Sequence, residues 1–173
     1  MKGDEVMRSD YETRAIYFIH QVYDYIADCC EDDDYVNAIG YFNMAHHRKV
    51  QVRSGQTRVA FITSDYVVKI TYGSIDAIDS WGDCEDEMEM YEKAEEDGYA
   101  YMFAKITHYS YRDKDFYIMP RIHGVGRNWN DATEYMTDDE YNWCRNKGLI
   151  DLHCHNYGWR NRHICLIDYA AHI

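Results

Sequence analysis

The sequence predicts an α+β fold, with helices first, then a small antiparallel sheet interrupted by a helix, then a last helix and a short hairpin. Three observations carry this. Apolar residues recur at helical spacing through roughly the first 45 positions, with Ile16, Ile19, Val22, Tyr23 and Ile26 on one stripe. From residue 48 the period drops to two in RKVQVRSGQTRVAFITSDYVVKITYG, and Ser54-Gly55 and Ser64-Asp65 cut the run into three strands. Beyond it, helical and strand-like pieces alternate.

Each element has its own signal. Ser9 and Glu12 form a capping box before the first stripe, which predicts an amphipathic helix of about five turns. The acidic run at 31–34 ends that helix or caps the next, read over YVNAIGYFNMAHH, so that residues 1–46 form a helical segment and 47–173 the remaining domain. After the three strands, SIDAIDSWGDCEDEMEMYEKAEEDG reads as helix with Gly98 as its stop. YAYMFAKITHYSY and DFYIMPRI then read as two strands joined at 112–114, and TDDEYNWCRNKG as a helix capped by Thr137 and Glu140 and ended by Gly148. LIDLH and HICLIDY are expected to pair as a final hairpin around residues 158–162.

Composition narrows the function classes. At 173 residues the chain can bury a sizeable core. Its longest apolar run falls far short of the ~20 residues of a bilayer helix, and MKGDEVMRSD lacks the apolar centre of a secretory signal. A cytoplasmic protein with no membrane contact is expected. The six cysteines have no paired spacing and should remain free thiols in a reducing compartment. A net charge of −13 argues against direct nucleic-acid binding through a basic face. The charge is uneven, however. Residues 74–100 carry eleven acids against one base, whereas 46–73 carry five bases against one acid, so the basic window coincides with the predicted three strands.

Four separated pieces within this frame carry chemistry. SGQTRVAF places Gly55 at a strand turn, where backbone N–H groups can approach phosphate. YVVKI sets Lys69 among apolar strand neighbours, where an ammonium must meet a charge or reach water. CEDEMEMYEKA follows on a helix, with Glu87 eighteen residues beyond Lys69 and next to Met88 and Tyr91 on the side expected to be buried. DLHCHNYGWRNRHICLIDYA places Asp151, then Asn156 five positions on, then Asp168 twelve beyond that, followed by Tyr169.

In this order the pieces resemble the protein kinase-like superfamily, over about residues 48–171. The style of the DLHxxN stretch is similar to that of small-molecule kinases and of short kinase-like proteins encoded by tailed phages. The resemblance implies a minimal protein kinase-like fold: a small-lobe antiparallel sheet with its helix and a catalytic-loop hairpin, preceded here by N-terminal helices. It also implies an ATP- and magnesium-dependent phosphotransferase. Lys69, paired with Glu87, would position the phosphates, Gly55 would approach them, and Met119 to Ile122 would clasp adenine. Asn156 and Asp168 would hold magnesium, an ion that wants hard oxygen ligands and needs few from protein. Asp151 would orient the acceptor hydroxyl.

The chain also departs from that pattern. One glycine replaces three, and Leu149 and Ile150 stand where the family has His and often Arg. No large helical lobe follows Tyr169, which favours an alternative: a weak or inactive kinase-like phage protein that binds and inhibits a host macromolecule, such as a nucleic-acid-binding or defence enzyme, through its acidic surface. A zinc reading of His153, Cys154, His155, His163 and Cys165 lacks both a CxxC pair and a matched histidine spacing, and bracing of the loop is favoured over it.

Overall fold

The computed structural model describes residues 9–55, 58–71, 84–126 and 129–169. The described residues form an α+β architecture with four α-helices, a five-stranded antiparallel sheet and a two-stranded hairpin. Two helices come first, α1 (Asp10–Ile26) and α2 (Asp32–His46). Three strands follow, β1 (Gln51–Ser54), β2 (Arg58–Ile62) and β3 (Tyr66–Thr71). After α3 (Cys84–Glu96) come β4 (Thr107–Tyr111), β5 (Lys114–Pro120), α4 (Asp138–Asn146), and the hairpin strands β6 (Tyr157–Arg160) and β7 (His163–Leu166). The sheet order is β1-β2-β3-β5-β4.

Side-chain alternation along the strands divides the molecule. Val59, Phe61, Val68, Ile70, Phe116 and Ile118 face one way and share a core with Phe18, Ile19, Val22, Ile39 and Phe42 of α1 and α2. The N-terminal helices therefore cover one face of the sheet. On the other face Tyr117 and Met119 join a second core with Met90 of α3, Trp143 of α4 and Leu166 of β7. This face carries the polar residues of interest, because Lys69 pairs with Ala60, and Val67 with both Ile62 and Met119.

Both capping boxes are present, and each also ties two elements together. Glu12 accepts from Ser9 N at 2.7 Å, while its other oxygen accepts from Thr107 Oγ1 of β4 at 2.8 Å. Glu140 accepts from Thr137 N at 2.7 Å, and its second oxygen meets Tyr101 Oη at 2.7 Å and His163 Nε2 at 3.0 Å. Burial alone would raise the Glu140 carboxyl, yet these donors hold it below its usual value.

Three sequence expectations shift. YAYMFAKI is not strand: Ala100–Met102 is a 3-10 turn, and Met102, Phe103 and Ala104 are buried in succession, without alternation. That segment belongs to the hairpin, since Ala104 N donates to Leu166 O at 2.8 Å. LIDLH is irregular as well: Leu149 and Leu152 are buried, three apart, while Ile150 and Asp151 face out, a spacing no strand produces. The hairpin is instead YGWR against HICL, turning at Asn161 and Arg162, whose φ values of 53° and 68° suit a two-residue turn. The expected helix from 74 begins, among the described residues, at Cys84, and its earlier part lies outside them.

Candidate functional site

The face of the sheet opposite α1 and α2 ends in a cleft of about 540 Å³, within the range of small-ligand sites. Ala60, Ile62, Val67, Met119, Ile122 and Ile167 make its apolar walls. Arg53, Gly55, Arg58, Lys69, Arg121 and Asp168 bring polar groups to it. Five of the eight residues singled out in the sequence thus line one cavity: Gly55, Lys69, Met119, Ile122 and Asp168.

The other three lie beside it. Glu87 is completely buried behind Lys69, whose ammonium donates to both of its carboxylate oxygens at 2.7 Å. The same ammonium donates to Ile167 O at 2.9 Å, so one side chain joins β3, α3 and the residue preceding Asp168. Such a lysine has little freedom to swing away from the cleft. The buried row of α3 is Cys84, Glu87, Met90 and Ala94, whereas Met88 and Tyr91, expected to mark that side, are only half-buried at its flanks. Glu87 faces inward as part of a 3-4 spacing that includes Cys84 and Met90.

Asp151 and Asn156 occupy the loop before β6. Asn156 donates through its side-chain nitrogen to Asp151 O at 2.9 Å and to Asp151 Oδ2 at 3.2 Å. Ile167 N donates to Asn156 O at 2.9 Å, which seats this loop against the strand end that carries Asp168. The Asp151 side chain is half exposed, with His153 Nε2 at 3.4 Å. Tyr169 is buried and anchored, its hydroxyl donating to Ala104 O at 2.6 Å and its ring edge-on to Phe103.

Arg58 is the residue that sequence reasoning passed over. It stands on β2 two positions before Ala60, hence on the same face as Lys69, and the strand alternation of TRVAFI carried that signal. Its Nη2 lies 3.2 Å from Glu87 Oε1 and donates to Asp168 Oδ1. Asp168, expected to hold magnesium, has the Arg58 guanidinium as its partner here. Partial burial works against ionisation of Asp168, yet Lys69 and Arg58 outweigh it and hold the carboxyl below its usual range. Burial pushes Glu87 the other way, upward, against the pull of the same two cations.

A carboxylate at Asp168 and an amide oxygen at Asn156 are the donor types magnesium takes when phosphates and water complete its shell. Of the zinc candidates, His163 is engaged by Glu140, and Cys165 is buried with its thiol pushed up to about 11 by burial. Among the described residues no three His, Cys, Asp or Glu side chains converge to hold an ion.

The segment at residues 122–123 is positioned by Gly158. A Cβ there would meet His123 O at 2.5 Å and Ile122 Cγ2 at 2.7 Å, so the absence of a side chain lets the 122–123 backbone lie against β6. Arg121 N donates to Asp65 O at 2.9 Å, so its N–H is already engaged. Gly158→Ala should destabilise the protein by about 1–3 kcal/mol through overpacking. Urea unfolding measures this, and an unchanged midpoint would contradict the close approach.

No protein-family model and no curated protein matches the chain. Among solved structures it is similar to WbdD bound to the kinase inhibitor LY294002, at 17% identity, over 72% of this chain and 33% of that one, with a TM-score of 0.37. It is also similar to a second structure, described as the bifunctional kinase-methyltransferase WbdD, at 18% identity, over 66% of this chain and 30% of that one, with a TM-score of 0.35. The chain spans about a third of the length of these structures.

Proposed function

We propose that this protein is a kinase-like, ATP-dependent phosphotransferase acting on the hydroxyl of a protein or a small molecule. The observation that carries the reading is Lys69: clamped by Glu87, it faces the same cleft as Gly55, Met119, Ile122 and Asp168. Adenine would enter the apolar part between Ala60, Val67 and Ile122, and the phosphates would extend toward Lys69. Asp168 and Asn156 are the residues that would hold magnesium for the transfer step, once Asp168 parts from Arg58. Asp151 accepts the acceptor's proton as its oxygen bonds to the γ-phosphorus; the bond from that phosphorus to the β–γ bridging oxygen breaks, and ADP leaves.

The test is ATP binding by calorimetry, with a variant that fills the cleft. Wild type should bind ATP, and Ala60→Phe, which places a ring between Val67 and Lys69, should lose at least about tenfold in affinity. An Ala60→Phe variant that binds as wild type does would remove the nucleotide from this cleft.

A second reading, an inactive kinase-like scaffold that captures a host enzyme, draws on the exposed acidic first turn of α2, Asp32 to Asp34. The same carboxylates also stabilise the positive end of their own helix, so that observation weighs less than the cleft.

A further inference from the structure

We propose that Arg58 serves as a tethered cation in the phosphate region of the cleft, so that a nucleoside polyphosphate binds there without a divalent metal ion. The proposal rests on the nucleotide reading of the cleft and deepens it, because it concerns how the phosphates are neutralised.

Arg58 sits at the meeting point of the site's two anions. One of its nitrogens reaches both Glu87 Oε1, at 3.2 Å, and Asp168 Oδ1, and its side chain is only 13% exposed. A metal ion at Asp168 would have to displace this guanidinium, breaking a charge-assisted contact. Magnesium also sheds its own water reluctantly and insists on near-octahedral geometry. A phosphate, by contrast, need not displace Arg58 from Asp168. A guanidinium is a planar fork of five N–H donors, able to hold a carboxylate and a phosphate together. Arg58 can therefore do with its own side chain what a metal does between carboxylate and polyphosphate.

The surrounding charge agrees. The protein carries −13 overall, yet Arg53, Arg58, Lys69 and Arg121 all line this one cleft. Among the described residues that line the cleft Asp168 is the only carboxylate, and Arg58 neutralises it. Glu87 lies behind Lys69 rather than in the cavity. A ligand entering the cleft thus meets positive charge before any metal arrives, which favours a polyanion with an apolar end.

The experiment is calorimetric titration with ATP in EDTA and again in excess magnesium. For wild type the two affinities should agree within about threefold. Arg58→Gln should lose about tenfold or more in EDTA, the value of a charge-assisted hydrogen bond, and should regain affinity when magnesium is added because Asp168 is then unclaimed. Asp168→Asn should bind ATP in EDTA at least as tightly as wild type, since it frees Arg58 for phosphate. Misfolding cannot imitate that result. Wild type that binds only with magnesium, or Arg58→Gln that matches wild type in EDTA, would overturn the role of Arg58 while leaving the nucleotide cleft standing. Absence of ATP binding in both media would overturn the cleft reading, and the role of Arg58 with it.

Discussion

Lys69→Met should cost both stability and nucleotide affinity, and the stability loss should grow as pH rises. The ammonium makes two 2.7 Å contacts with a carboxylate that has no exposure to water. Removing one member of a buried pair leaves the other uncompensated, at a cost of about 3 kcal/mol. Arg58 remains within 3.2 Å of Glu87 and limits the damage. Burial already pushes the Glu87 carboxyl above its ordinary value, and loss of Lys69 pushes it further.

The sign follows from proton uptake. A carboxyl whose pKa is higher in the folded protein binds more protons there than in the unfolded chain, so folding stability falls as pH rises from the unfolded value through the folded one. The deficit of Lys69→Met should therefore be small in mild acid and largest near neutrality. Thermal unfolding of wild type and variant across that range measures it. A deficit independent of pH would mean that Glu87 does not depend on the lysine for its charge.

Asp151→Asn should abolish turnover while sparing fold and binding. The side chain is half exposed, and among the described residues it pairs with Asn156 and His153 of its own loop. Asparagine keeps an oxygen able to accept from Asn156 but cannot take a proton from an acceptor hydroxyl. Loss of a positioned general base lowers rates by about 10²–10⁴-fold. ATP affinity should change by less than about twofold, since Asp151 does not line the cleft. ADP production from ATP, with water or an added alcohol as acceptor, gives the rate. An unchanged rate removes Asp151 from the chemistry.

Much of the framework was legible in the chain, for identifiable reasons. The two capping boxes were readable because their partners lie three residues apart, and local geometry alone forms them. β2 and β3 were readable because each buries one face against α1 and α2, which enforces period two on Val59, Phe61, Val68 and Ile70. Lys69 stood out because a charge among apolar strand neighbours has to be matched, whereas Glu87 was reached through the resemblance and through Met88 and Tyr91, which flank the buried row rather than form it.

The failures share a different cause. Residues 100–106 and 149–153 take their conformation from distant partners: Leu166 for Ala104, and Ala132 N, which donates to Leu152 O at 2.7 Å. No local period encodes such contacts, and both stretches imitate strands because they are rich in apolar residues. Arg58 was hidden in another way. Attention to Gly55 as a loop residue obscured the alternation that begins two residues before Ala60 and aims Arg58 at the cleft. Its pairing with Asp168, 110 positions away, becomes visible only when the hairpin folds against the sheet.

The most direct test of the nucleotide cleft is an ATP titration followed through the backbone amide resonances of the labelled protein. The shifts should concentrate at Gly55, Lys69, Met119, Ile122 and Asp168 and should saturate together with one affinity, while α1 and α2 on the opposite face of the sheet stay unmoved. Spectra that do not change at millimolar ATP, or shifts confined to residues outside the cleft, would contradict the account.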